Sequence, residues 1–246
     1  MNVYRADLHI HSVLSPCGDL EMSPRRIVAR AVEMGLDIIA VTDHNHTGHA
    51  RLTRRLGEKH GIWVVYGAEV NTREEVHCLT FFDTNQQLED FQMQLERYLP
   101  MVPNDPHLFG DQVIVDEDEH ILSEIRHSLY PGLSLGISDM TGLVHELGGL
   151  FVPAHVDRPM NGLYIQLGLF PDGLEVDAVE ISRNTDPAGI RKQHSELESY
   201  RLLRNSDAHY PEHIGRAYNM MSMKAKTFSE FTLALHGKEG RMVKER

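Results

Sequence analysis

Asp7, His9 and His11 fall within the six-residue run DLHIHS near the start of the chain, and histidine is used sixteen times in 246 residues. Further clusters of the same types follow at Asp43-His44, at Glu69 with His77, at His155, and at Asp207 with His209. Imidazole and carboxylate together suit Zn, Mn or Fe, whereas Ca prefers an all-oxygen shell. Side chains two apart on a strand point to one face, so His9 and His11 can grip one ion together, and so can Asp207 and His209. Asp7 shares that parity and can orient a ligand histidine from behind. Parity turns Asp43 away from His44, so Asp43 reads as a supporting or helix-capping group. A single histidine at a strand end is most simply a satisfied polar residue. Recurrence at several strand ends is what points to a shared metal site.

The elements that must position these residues read as alternating strands and helices. Strands are expected at Val3–His9, Asp37–Thr42, Ile62–Tyr66, His77–Phe82, Leu150–Pro153, Ala178–Ile181 and Leu202–Asn205. Short, nearly all-apolar runs such as DIIAVT are how buried parallel strands read. Ser23-Pro24 opens a helix as N-cap and first-turn proline, and Gly35 closes it. Helices are also expected over residues 47–60, 86–98, 120–128, 138–147 and 229–236. Pro100, Pro103 and Pro106 interrupt the alternation, and Asp116-Glu117-Asp118-Glu119 reads as a solvated charge run. An insertion or small subdomain is therefore expected at about 100–148 within a single domain spanning 1–246. Strand–helix alternation implies parallel pairing through right-handed crossovers, and about seven strands favour a closed or nearly closed ring. No glycine-rich dinucleotide loop follows the first strand, which weighs against a Rossmann fold.

Composition narrows the functional classes. Two cysteines, Cys17 and Cys78, exclude a disulfide framework and a Cys-rich zinc motif. Cys17 reads as loop filler and Cys78 as a small core hydrophobe. No apolar run approaches the length of a membrane span and no leader pattern stands at the start, so the cytoplasm is the expected compartment and no membrane is expected as partner. The net charge of −12 argues against stable binding of duplex nucleic acid through a broad basic face. Bound divalent ions would nevertheless make the pocket locally positive.

DLHIHS at residues 7–12, together with Thr42-Asp43-His44 and Ser206-Asp207-Ala208-His209, resembles the PHP family, named for polymerase and histidinol phosphatase. The resemblance implies a distorted (β/α)7, TIM-like α/β barrel with two or three divalent metals at the C-terminal ends of its strands. It implies that His9, His11, Glu69 and Asp207 hold the first metal, and that Glu69 bridges to a second held by His77 and His155. Asp19, His44 and His209 would hold the third.

Such a site hydrolyses phosphate esters without a Ser or Cys nucleophile: one metal supplies hydroxide near neutral pH and its neighbours clamp the phosphoryl oxygens. The expected substrate is a small phosphomonoester or nucleotide, with short oligonucleotides a further possibility. Arg158, Arg183 and Arg216 are candidates for holding its phosphate. Two alternatives stand beside this. One is C–N hydrolysis of the amidohydrolase type, for which no lysine stands at a suitable strand end. The other is a non-catalytic, metal-stabilised binding module, which would have a closed coordination shell.

Overall fold

A computed structural model describes residues 1–244. The chain runs β1 (Asn2–Ile10), α1 (Pro24–Glu33), β2 (Ile38–Val41), α2 (Ala50–Glu58), β3 (Trp63–Asn71), β4 (His77–Phe82) and α3 (Asn85–Tyr98). It continues through α4 (Pro106–Phe109), β5 (Val113–Val115), β6 (Ile121–Glu124), α5 (Ile137–Glu146), β7 (Leu150–Pro153) and α6 (Leu163–Leu167). The last elements are β8 (Val179–Glu180), α7 (Pro187–Gln193), β9 (Leu202–Leu203), β10 (Asn219–Met223), α8 (Phe228–Leu235) and β11 (Met242–Lys244). As expected, the Ser23 hydroxyl caps α1 by accepting from the Arg26 N–H. No helix among the described residues is long and apolar enough to cross a membrane.

Seven strands form one sheet in the order β11-β10-β1-β2-β3-β4-β7. Only β1–β2 and β2–β3 pair in parallel; β10, β4 and β7 join antiparallel. The expected all-parallel ring is thus corrected. Residues 72–76 are too few for a crossover, which takes roughly a dozen residues or more, so β4 must turn straight back along β3. A consequence is that His77, the first residue of β4, lies at the same rim as the C-terminal ends of β1 to β3.

β8 and β9 pair in parallel with each other. They bridge the curl of the sheet. Asp177 N–H donates to the Phe151 carbonyl beside β7, and His11 N–H donates to the Ala208 carbonyl beside β1. Ala6, Leu8, Ile38, Ala40, Val65, Leu79, Phe81 and Leu203 pack together with Phe231 of α8. A second layer, Ile27, Val28 and Ala31 of α1 with Leu56 of α2, covers Ile39 and Val41.

The insertion departs from expectation. Residues 120–128 are not helical; β5 and β6 form an antiparallel pair there. The charge run supplies the reversal. The Asp116 carboxylate accepts from Asp118 and His120 N–H, and Glu119 takes a left-handed φ of 69°. That turn chemistry, flanked by β-branched Val113, Ile114, Val115 and Ile121, outweighs helix propensity.

Candidate metal centre

β1 delivers His9 and, one residue past its end, His11 side by side, both fully buried. The rings share the rim because residues two apart along an extended strand point the same way; the register against β2 shifts between Asp7 and Ile10. Around their Nε2 atoms lie two carboxylate oxygens. His9 Nε2 is 3.3 Å from Glu69 Oε2 and 3.3 Å from Asp207 Oδ1. His11 Nε2 is 3.2 Å from each of the same oxygens, and the two Nε2 atoms are 3.2 Å apart. Donor atoms 3.2–3.3 Å apart match neighbouring tetrahedral ligands about 2.0 Å from a shared ion, the length of a Zn–N or Zn–O bond. The donor set and its spacing therefore fit one divalent ion.

Glu69 divides its two oxygens. Oε2 faces His9, His11 and, at 3.2 Å, His44 Nδ1. Oε1 faces His77 Nδ1 at 3.0 Å and His155 Nε2 at 3.2 Å. His155 Nδ1 is buried with no hydrogen-bond partner. His155 and Asp207 both adopt left-handed backbone, at φ 29° and 49°, a conformation uncommon outside glycine though least so for Asn, Asp and His. His44, Glu69 and His77 form one group able to hold an ion, and His9, His155 and Asp207 another.

Burial and charge act in opposite directions here. Burial pushes the His9 imidazole down, but Glu180, Glu69 and Asp207 outweigh it and raise its pKa well above the usual value. His11 behaves alike: burial lowers it, and Asp207 and Glu69 bring it up to about 9. Burial raises Glu69, yet the surrounding histidines hold it well below the ordinary carboxylate range. His44 and His209 go the other way, driven down chiefly by burial, His209 to about 4.

Sequence reasoning missed one residue here. Glu180 on β8 is buried and places both oxygens 3.0–3.1 Å from His9 Nδ1. It also accepts from the His155 N–H and from Asn205 Nδ2. A carboxylate behind a metal-binding imidazole fixes its tautomer and direction. Asp7, expected in that role, instead accepts from the Ser206 and Gly215 N–H groups. The available signal was an acidic residue inside the apolar run Ala178–Ile181. Asp43 does support the site: it accepts from Ser15 Oγ, which contacts His11 Nδ1.

Asp19 is not drawn into a donor group among the described residues. Its Oδ1 accepts from the Glu21 N–H, while Cys17 stands beside His11, His44 and His209. Arg158 pairs with Asp207 Oδ2. Arg183 borders a cavity of about 450 Å³, and Arg216 lines neither cavity at the site. That cavity adjoins one of about 570 Å³ over the histidines; His155, Arg158, Asp207 and His209 line both. Asn45 Nδ2 holds the carbonyls of Leu129 and Pro131, which carries Tyr130 over the second cavity.

A curled α/β sheet with histidines and carboxylates gathered at one rim defines a class of metal-centred domains. The chain belongs to the PHP domain family: the model of the PHP domain matches residues 7–131, and that of a PHP-associated segment matches residues 202–239. It is 27% identical to the uncharacterized protein YqxK of Bacillus subtilis, over 97% of this chain and 63% of that one. It also shares its fold with the lesion-specific endonuclease PfuEndoQ from Pyrococcus furiosus, at a TM-score of 0.78 and 24% identity, covering 98% of this chain and 58% of that one. An endonuclease Q complex with a 27-mer duplex substrate, with an abasic lesion at the active site, matches at a TM-score of 0.73 and 22% identity over the same shares. This chain thus spans about three fifths of these longer relatives.

The expectation that so acidic a chain excludes duplex nucleic acid is overturned, because the same fold holds a duplex at its active site in that complex. Net charge sums over surface remote from the site. Binding responds to the local field, and here the guanidinium groups of Arg158 and Arg183 border the cavity beside the histidines.

Proposed function

We propose that this chain is a metal-dependent phosphoesterase acting on a phosphodiester within a nucleic-acid strand. The single observation that carries this is the donor group of His9, His11, Glu69 and Asp207, spaced for an ion and opened by two adjoining cavities. A cavity over the donor group that continues into a second one beside it suits a chain running through both. In this reading His9, His11, Glu69 and Asp207 hold the first ion, and Glu69 shares a second with His77 and His155. His44 and His209 face a third position. Zn, Mn and Fe all fit imidazole with carboxylate. The fold is read as a distorted (β/α)7 barrel of β1 to β4 and β7 to β9, one PHP unit carrying an insertion at about 100–148.

Bound divalent ions would activate water and offset charge on the phosphoryl oxygens. The chain's own groups do the rest. Glu180 aims the His9 imidazole and the Ser15–Asp43 pair that of His11, Arg158 holds Asp207, and Arg183 offers its guanidinium to a flanking phosphate. Tyr130 and Met160 line the mouth. A second reading, a small phosphomonoester or nucleotide, is favoured by the size of the 450 Å³ cavity alone.

The test is turnover by the purified chain with Mn²⁺ added. Substrates are a duplex carrying one abasic site, the undamaged duplex, a single strand, and small phosphomonoesters. Strand scission is expected, with D207N reducing it more than about 100-fold, beyond the range for residues that only support a metal ligand. Cleavage of monoesters alone would replace the substrate assignment with the second reading. No phosphate-ester cleavage with metal bound would move the site to C–N hydrolysis or binding.

A further inference from the structure

We propose that Cys17, rather than Asp19, is the donor that completes the outer cation position, coordinating as a thiolate with His44 and His209. This rests on the metal-centre reading above. One donor atom each of His11, Cys17, His44 and His209 lies within 4.8 Å of the others. The imidazoles converge in the same sense: His11 and His209 stack at 4.3 Å, and His11 and His44 lie 4.6 Å apart between centroids. His209 Nδ1 is occupied by the Asp207 carbonyl, which leaves Nε2 to face the group.

The loop is built to hold Cys17 there. Ser15 N–H donates to the Ser12 carbonyl and Gly18 N–H to that of Ser15, so Cys17 sits in the second of two successive turns. A Cβ at Gly18 would fall 2.2 Å from the Ser12 carbonyl oxygen, so no larger residue fits that turn. From outside, Gly110 of the insertion approaches so closely that its Cβ would lie 2.3 Å from the Pro16 carbonyl oxygen. Asp19 meets the site only through its backbone, donating its N–H to the His209 carbonyl.

The chemistry differs from that of a carboxylate. On binding, the Cys17 S–H bond breaks, its proton passes to solvent, and the sulfur pair is donated to the cation, with no change of oxidation state. Thiolate is a soft donor that favours Zn or Co over Mg or Mn. The outer position should therefore select a softer ion than the inner group.

Cobalt(II) reports this directly, because a thiolate ligand adds a near-ultraviolet charge-transfer band that nitrogen and oxygen donors lack. The full chain is titrated with Co²⁺ while equilibrium dialysis counts bound ions. The expected result is the band in the wild-type chain and in D19N, and its loss in C17S with about one equivalent less cobalt. C17D should regain that equivalent without the band, which separates lost coordination from misfolding. Cobalt bound by the wild type without the band, or a band surviving in C17S, would overturn the assignment of Cys17. No cobalt bound at all would overturn the metal-centre reading itself.

Discussion

Two groups of histidines share one rim and have opposite electrostatics. The inner pair, His9 and His11, sits among Glu69, Asp207 and Glu180 and is drawn toward the charged form. The outer pair, buried His44 and half-buried His209, lies among other imidazoles and is held neutral. Burial opposes charge in both places, so the carboxylates decide the difference. Three buried carboxylates demand a cation, and protons meet that demand when metal is absent. The outer imidazoles are already in the neutral form that metal ligands require.

The largest expected effect breaks this comparison by pH. His11 has a raised pKa, from 6.5 to about 9, so its contribution to the stability of the metal-free chain is complete below 6.5 and lost as pH rises through 9. That amounts to on the order of 3 kcal/mol. The metal-stripped chain should therefore be less stable at pH 9 than at pH 6.5 in urea unfolding. The zinc-loaded chain should reverse the trend, because protons then compete with metal. Equal slopes with and without metal would mean the inner pair does not exchange protons for a cation.

A smaller effect is expected behind the inner pair. E180Q removes the charge facing His9 Nδ1 yet keeps the shape, and metal affinity measured by calorimetry should fall 10- to 100-fold. Unchanged affinity would reduce Glu180 to a structural link between β8 and the turn at His155. The smallest effect belongs to the outer rim. Arg183 is exposed and borders a cavity without touching the donor group, so R183A should raise KM up to about tenfold and leave kcat nearly unchanged. An equal fall in kcat would place its guanidinium at the reacting phosphate.

Much of the site was legible because its parts are local. The strand parity of DLHIHS puts His9 and His11 on one ion whatever the rest of the chain does. Apolar runs ending in His or Asp mark strand ends by the same short-range logic. The strand β6, expected as helix over 120–128, and the reversal of β4 were misread for a shared reason. Helix and parallel-strand patterns leave out the short-loop geometry that forces a hairpin.

By itself, then, the sequence determined the kind of chemistry. Donor types, their two-residue spacing and their recurrence after apolar runs require only local backbone periodicity to be understood. Tertiary structure alone decided which groups meet. Glu180 reaches His9 across 171 positions, Arg158 pairs with Asp207, and the Cys17 sulfur comes to lie beside His11, His44 and His209. Those pairings arise when the sheet curls and brings distant strand ends to one rim, and no periodicity in the chain encodes that closure.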